Sequence, residues 1–145
     1  MKKPKKVFVE GPISPDFISR SIAQHSTKTG IGAHQIFLGQ VRADILDGHQ
    51  VKAIEYSAYE TMAENIFHDI REATFAQFDL SCMHIYHSLG EVKAGEICLF
   101  VFVSSKHREA CYKAIHELVE AIKAKVPIFG KEIFEDGAHI WKVNT

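Results

Sequence analysis

The 145-residue chain reads as one α+β domain with a mostly antiparallel sheet and three helices packed on it. Three observations carry this reading. Short apolar runs recur between turn residues, the clearest turns being Asp47-Gly48 and Asp136-Gly137, so neighbouring strands can pair through tight connections. Three longer stretches place apolar residues at three-four spacing, the pattern of helices laid on a core. No internal repeat, low-complexity tract or linker interrupts the sequence, and its length suits a single domain of residues 1–145.

Residues 5–10 form a short first strand, broken by Gly11-Pro12. Ser14 then caps a helix with Pro15 at its first position, running to about His25, with Phe17, Ile18 and Ile22 as its buried stripe. The polar, glycine-bearing residues 26–32 are a loop. Residues 33–41 and 51–59 are the second and third strands, expected to pair as a hairpin across the 42–50 loop. Residues 60–78 are a second helix, with Met62, Ile66, Phe67, Ile70 and Ala73 facing the core. Residues 80–89 and 96–104 are strands around a turn at 90–95. Every position from Ile97 to Val103 is apolar, which predicts a central strand covered on both faces. The third helix, residues 106–125, follows the capping serines Ser104 and Ser105 and turns Cys111, Ile115, Leu118 and Ile122 inward. Pro127 ends it, because the residue before a proline is pushed out of the helical region. Residues 131–134 and 139–143 are two short strands around Glu135-Asp136-Gly137.

Bulk electrostatics excludes some functions. The formal net charge is −1, so a general nucleic-acid or membrane-surface role has no support, and any anion site must be a local concentration of cations. The apolar run Val7-Phe8-Val9 behind the basic start is too short for a signal sequence, and no run approaches the roughly 20 apolar residues of a membrane span, so a cytoplasmic protein is expected. Cys82, Cys98 and Cys111 match no disulfide framework or metal knuckle and read as structural thiols. His84 and His87, three apart on a strand, point to opposite faces, and the histidines make no metal pattern.

The cations concentrate on the third helix. His107 and Arg108 sit in its first turn, where cations oppose the dipole and so call for a reason; a bound phosphate or carboxylate supplies one, a surface pair with Glu109 is the plainer alternative. Lys123 lies beside the packed residue Ile122 near the other end, and Lys131 follows Phe129-Gly130. Arg42 stands at the end of the second strand. His107 and Lys123 are sixteen residues apart, roughly 24 Å along a helix, too far for both to touch one small substrate. A two-fold dimer, with His107 and Arg108 of one subunit facing Lys123 of the other, is therefore expected.

Six blocks occur in order: Gly39-x-Val41-Arg42, Glu55-x-x-x-Tyr59-x-x-Met62, His87-x-x-Gly90-Glu91, Ser105-x-His107-Arg108, Lys123-x-Lys125-x-Pro127 and Lys131-Glu132. Together they resemble the large, catalytic subunit of molybdopterin synthase over residues 31–141, most specifically over 103–110 and 118–132. The resemblance implies an α/β hammerhead fold and a sulfurtransferase that converts cyclic pyranopterin monophosphate into the molybdopterin dithiolene, a step in molybdenum cofactor biosynthesis. Sulfur would come as a thiocarboxylate on the C-terminal Gly-Gly of a small ubiquitin-like partner, in a heterotetramer built on a homodimer. No metal or other cofactor of its own would be required. Arg42, His107 and Arg108 would bind the substrate's phosphate or pterin, Lys123 would be the essential lysine beside the inserted tail, and Lys131 and Glu132 would complete the site. In ungapped register the family's second active lysine falls on Gly130. Either Lys131 reaches the same pocket from one place later and is catalytic with Lys123, the favoured reading, or this chain lacks that group. Position 40 is Gln in place of a lysine. The rival reading is a non-catalytic anion-binding or partner-docking module on the same scaffold.

Overall fold

The computed structural model describes residues 5–142. In chain order these form β1 (Phe8–Glu10), α1 (Pro15–Ala23), β2 (Ala33–Gln40), β3 (Ile45–Leu46), β4 (His49–Ala58), α2 (Glu60–Gln77), β5 (Cys82–Lys93), β6 (Ile97–Ser105), α3 (Arg108–Lys125), β7 (Ile128–Phe134) and β8 (His139–Trp141). One sheet runs β2-β6-β5-β4-β7-β8, with β3 on β4 and β1 on β5. Only β1 pairs in parallel. The expected α+β architecture with three helices and a mostly antiparallel sheet is the one observed. Val143, at the end of the expected last strand, lies outside the described residues.

β6 is the strand the sheet is built around. Leu99, Val101 and Val103 enter the main core with Phe67, Leu118 and Ile122, whereas Phe100 and Phe102 turn to the other face, against Ile13, Phe17 and Ile18. A strand apolar on both faces is thus covered on both, as its composition predicts. α1 begins as expected: Ser14 Oγ accepts the Phe17 N–H at 3.1 Å with Pro15 at the first helical position. Val126, with ψ 131°, is forced extended ahead of Pro127 and stops α3.

Several expectations are corrected. The second and third strands do not pair as a hairpin: β2 lies along β6 from Ala33↔Ser105 to Gln40↔Ile97, and β4 lies between β5 and β7. The Asp47-Gly48 turn is real but closes the short β3–β4 ribbon, both residues having positive φ (51° and 79°). β5 runs on through the expected 90–95 turn to Lys93, changing neighbours from β6 to β4 as it goes. Gly90 sits at that change with φ 84°, where a Cβ would come 2.6 Å from Glu10 Oε1. The buried stripe of α2 is Ala63, Phe67, Ile70, Arg71 and Thr74, so Met62 and Ala73 face out; Arg71 is drawn in because its guanidinium donates to the Met83 carbonyl at 2.8 Å. Ile22 of α1 is likewise 43% exposed. Ser104 and Ser105 are not caps: both belong to β6, Ser105 Oγ donates to the His107 carbonyl at 2.5 Å, and His107 itself holds the N-cap position.

Candidate functional site

Packing fixes α3 before any chemistry does. Cys111, Ala114, Leu118 and Ile122 are buried against the sheet, so the residues flanking that stripe have set directions. At the C-terminal end Lys123 opens into a narrow cavity of about 70 Å³, walled by Ile122, Val126 and Ile128. Tyr56, His87, Gly130 and Lys142 complete it. The volume is a few water molecules' worth, below the several hundred Å³ of ordinary ligand pockets. Gly130 leaves the β7 wall of this space without a side chain.

A buried and a half-buried polar group border this cavity. His87 Nδ1 donates to the Ser88 carbonyl at 2.8 Å, which leaves Nε2 as the ring's acceptor. Burial lowers the His87 pKa to about 4, against the opposing hydrogen bond to Ser88, and the Lys123 charge pushes the same way as burial. The imidazole is therefore neutral at physiological pH. Burial, and then the adjacent Cys98, push the Tyr56 phenol upward, so it stays protonated.

β7 decides which groups face the cavity. Tyr56 pairs with Gly130 across β4–β7, and the Lys142 N–H donates to the Gly130 carbonyl at 2.8 Å. Lys131 lies on the opposite face. Its ammonium is 3.4 Å from Glu55 and 5.9 Å from the centre of the Trp141 ring. The expectation that Lys131 shares the Lys123 cavity is thus not met within one chain, because alternation along the strand turns it away. A Cβ at Gly130 would stand 3.0 Å from Ile54 Cγ2 and 3.4 Å from Tyr56 Cε1, so the glycine lets β7 press against the cavity wall. Glu132 is buried on the Gly130 side of β7, opposite Ile54 and near Tyr56, and does not line the cavity.

The N-terminal end of α3 is different. His107, Arg108 and Lys106 border a wide concavity of about 750 Å³, together with His34 and Gln35 of β2 and Tyr112. Glu109 bonds Lys113 at 3.0 Å, so the plain surface pairing of Arg108 with Glu109 gives way to an i,i+4 pair along the helix. His34 holds Ser104 Oγ at 2.7 Å, and burial, then His25, lower its pKa. Arg42 lines neither cavity; it is exposed and 3.3 Å from Asp44. α3 carries His107-Arg108 and Lys123 at opposite ends, and no described cavity holds both.

Three possible metal donors do converge elsewhere. His25, Cys82 and His84 place donor atoms within 4.8 Å of one another. His25 Nδ1 donates to the Ser21 carbonyl at 2.7 Å and its Nε2 meets His84 Nε2 at 3.1 Å. Lys28 donates to Cys82 Sγ at 3.2 Å, and the charges of Lys5, Arg71 and Lys28 all act on His84. These neighbours are cations, the opposite of what gathers around a divalent ion, and an imidazole–imidazole hydrogen bond accounts for the contact.

A protein-family model described as "MoaE protein" matches residues 9–125. The chain belongs to the MoaE family. A Pyrococcus abyssi relative named "Molybdopterin synthase catalytic subunit" is 35% identical over 138 residues, covering 94% of this chain and 90% of the relative. Relatives of the same name from Aspergillus fumigatus and Homo sapiens are 35% and 36% identical; the chain spans 64% and 59% of their lengths. Among solved structures, molybdopterin synthase from Staphylococcus aureus superposes with a TM-score of 0.81 at 30% identity, covering 94% of this chain and 96% of that one. A Helicobacter pylori structure titled as a complex of subunits 1 and 2 of molybdopterin-converting factor shares the fold, with a TM-score of 0.79 at 18% identity over 93% of this chain and 88% of that one.

Three residues that border the narrow cavity carry no mark of it in the sequence. His87 occurs in the block His87-x-x-Gly90-Glu91, yet nothing there marks it as buried beside Lys123. Tyr56 lies one position from the quoted Glu55. Lys142 falls behind the last quoted block, and only the β7–β8 register brings it back to Gly130.

Proposed function

We propose that this chain is the catalytic subunit of a molybdopterin synthase, a cytoplasmic sulfurtransferase. Its partner is a small ubiquitin-like sulfur carrier, and its substrate is cyclic pyranopterin monophosphate. The observation that carries the assignment, beyond family membership, is the contrast in size between the two cavities of α3. The narrow one suits an inserted Gly-Gly tail. The wide one, with His107 and Arg108 at a helix N-terminus, suits a phosphorylated pterin.

In the proposed reaction the thiocarboxylate sulfur attacks an oxygen-bearing carbon of the pterin side chain and forms a C–S bond as the C–O bond breaks. At one carbon the oxygen stays on the phosphate and opens the cyclic ester; at the other it leaves as water. One thiocarboxylate is used for each carbon. Water then cleaves the resulting thioester, leaving sulfur on the product and a carboxylate on the carrier. Lys123 stabilises the negative charge that develops on the acyl oxygen, and neutral His87 is placed to accept a hydrogen bond from the attacking water. Arg42 and Glu132 support substrate binding from outside the two cavities, and Lys131 acts from the far face of β7. No cofactor enters this scheme.

Because the two ends of one α3 are separate, the reading includes a homodimer in which one subunit's His107 and Arg108 face the partner's narrow cavity, within a heterotetramer with two carriers. An aromatic hollow formed by Tyr59, Phe129 and Trp141 lies on the Lys131 face of β7 and offers the carrier an apolar landing surface. The test is direct: mix the protein with thiocarboxylated carrier and cyclic pyranopterin monophosphate and follow dithiolene formation. Turnover is expected; its absence with a competent carrier would refute the enzyme reading in favour of a docking module.

A further inference from the structure

Two lysines border the narrow cavity, Lys123 from α3 and Lys142 from the segment after β8. Their arrival from different elements has a backbone cause. β8 runs antiparallel to β7 with Lys131 opposite Trp141, and the ladder continues as the Lys142 N–H bonds the Gly130 carbonyl at 2.8 Å. Lys142 is therefore the direct cross-strand neighbour of Gly130. Cross-strand neighbours project to the same face of a sheet. Gly130 in turn pairs with Tyr56, so Tyr56, Gly130 and Lys142 form one row across β4, β7 and β8, on the cavity side. The adjacent row, Glu55, Lys131 and Trp141, faces the other way and satisfies itself through the Lys131–Glu55 ion pair and the Trp141 ring.

Gly130 contributes no side chain of its own, and a Cβ there would already be at 3.0 Å from Ile54. Lys142, on the same face and bordering the cavity, has a stem long enough to carry its ammonium over the place the glycine leaves open.

We propose that Lys142 is the second cation of the narrow cavity, acting with Lys123 to hold the negative end of an inserted tail. The inference rests on the tail-insertion reading above and adds a residue to it. Two ammonium groups on one small cavity favour a terminal carboxylate or thiocarboxylate over any neutral group.

The experiment uses a synthetic peptide ending in a free Gly-Gly carboxylate, and separately the thiocarboxylated carrier with cyclic pterin. Lys142→Ala is expected to weaken peptide binding about tenfold or more, the range for loss of one charge-assisted contact. It should lower sulfur transfer by a similar factor, while Lys142→Arg recovers most of both. Lys113→Ala, an equal charge change at the exposed Glu109 pair, should leave both unchanged. Because Lys142 is exposed, circular dichroism and melting temperature should not move. Unaltered binding and turnover in Lys142→Ala would overturn this inference alone, as would loss in Lys131→Ala without loss in Lys142→Ala. Failure of the wild-type protein to bind the peptide at all would overturn the tail-insertion reading and this inference together.

Discussion

The two ends of α3 carry similar charge and opposite shape. At the C-terminal end, lysines are what a helix wants for its own sake, since the dipole favours cations in the last turn. Lys123 would be unremarked there but for the cavity of about 70 Å³ it opens into. At the N-terminal end His107 and Arg108 oppose the dipole, so their presence itself points outward, to an anion in the wide concavity. Charge counting treats these ends alike. Volume separates them, assigning a threadlike ligand to one and a bulky anionic one to the other.

The comparison breaks most visibly at Lys123. Lys123→Ala should reduce single-turnover sulfur transfer about 10²–10³-fold, the range for removing a group that stabilises a developing oxyanion. Carrier binding, measured by titration calorimetry, should fall far less. An equal loss in both would make Lys123 a docking residue and erase the distinction between the ends.

Acid should weaken the narrow end next. His87 has its pKa lowered to about 4 in the folded protein, against about 6.5 when unfolded. Above pH 6.5 both states are neutral and the full stability is present. As pH falls from 6.5 towards 4 the unfolded state takes up a proton that the folded state refuses, so stability declines. From this group alone the loss reaches about 3 kcal/mol at pH 4, roughly a factor of 10² in the folded population. His84, also lowered to about 4, first by burial and then by His25, adds a decline of the same sign. Urea unfolding followed by circular dichroism between pH 7.5 and 4.5 should show the slope, and His87→Phe should flatten part of it. An unchanged slope in that variant would show that His87 is not held neutral.

At the wide end a smaller effect of another kind is expected. Arg108→Ala removes one charge-assisted contact to the substrate anion, about 1.5–3 kcal/mol, or roughly 10- to 100-fold. Steady-state kinetics should show it mainly as a raised KM for the cyclic pterin, with binding of the Gly-Gly peptide untouched. A variant that lost peptide binding instead would put both ligands at one end.

How legible was this contrast in the sequence? The architecture largely was, because it follows from patterns local to each element: the all-apolar run Ile97–Val103, the Ser14-Pro15 start, the Val126-Pro127 stop. Strand partners were not. Nothing within residues 33–59 says that β2 prefers β6 to its chain neighbour β4, since that choice belongs to β6. The cationic ends of α3, and the distance between them, followed from sequence spacing and helical rise. The second lysine was invisible for the reason β2 was misplaced. Gly130 posed the question in the sequence, and Lys131, one step along, was the natural answer. A one-residue step along a strand reverses the face, however, and the residue that shares Gly130's face is twelve positions away on the next strand.

The smallest predicted effect tests whether the two ends belong to one site. In a two-fold dimer each site would take Lys123 from one subunit and Arg108 from the other. Mixing Lys123→Ala with Arg108→Ala protein, after subunit exchange, yields a population that is about half hybrid by random pairing. Each hybrid then holds one site with both residues intact and one with both replaced. With the cyclic pterin held below the wild-type KM, activity should therefore recover to about a quarter of wild type, though neither parent is active at that level. Recovery should follow exchange, rising with incubation time and failing if each parent is cross-linked first. If Lys123 and Arg108 served the same site from within one chain, no mixture of single variants would restore an intact site. Activity would then stay at the average of the two parents, and the reading in which two subunits complete each site would fall.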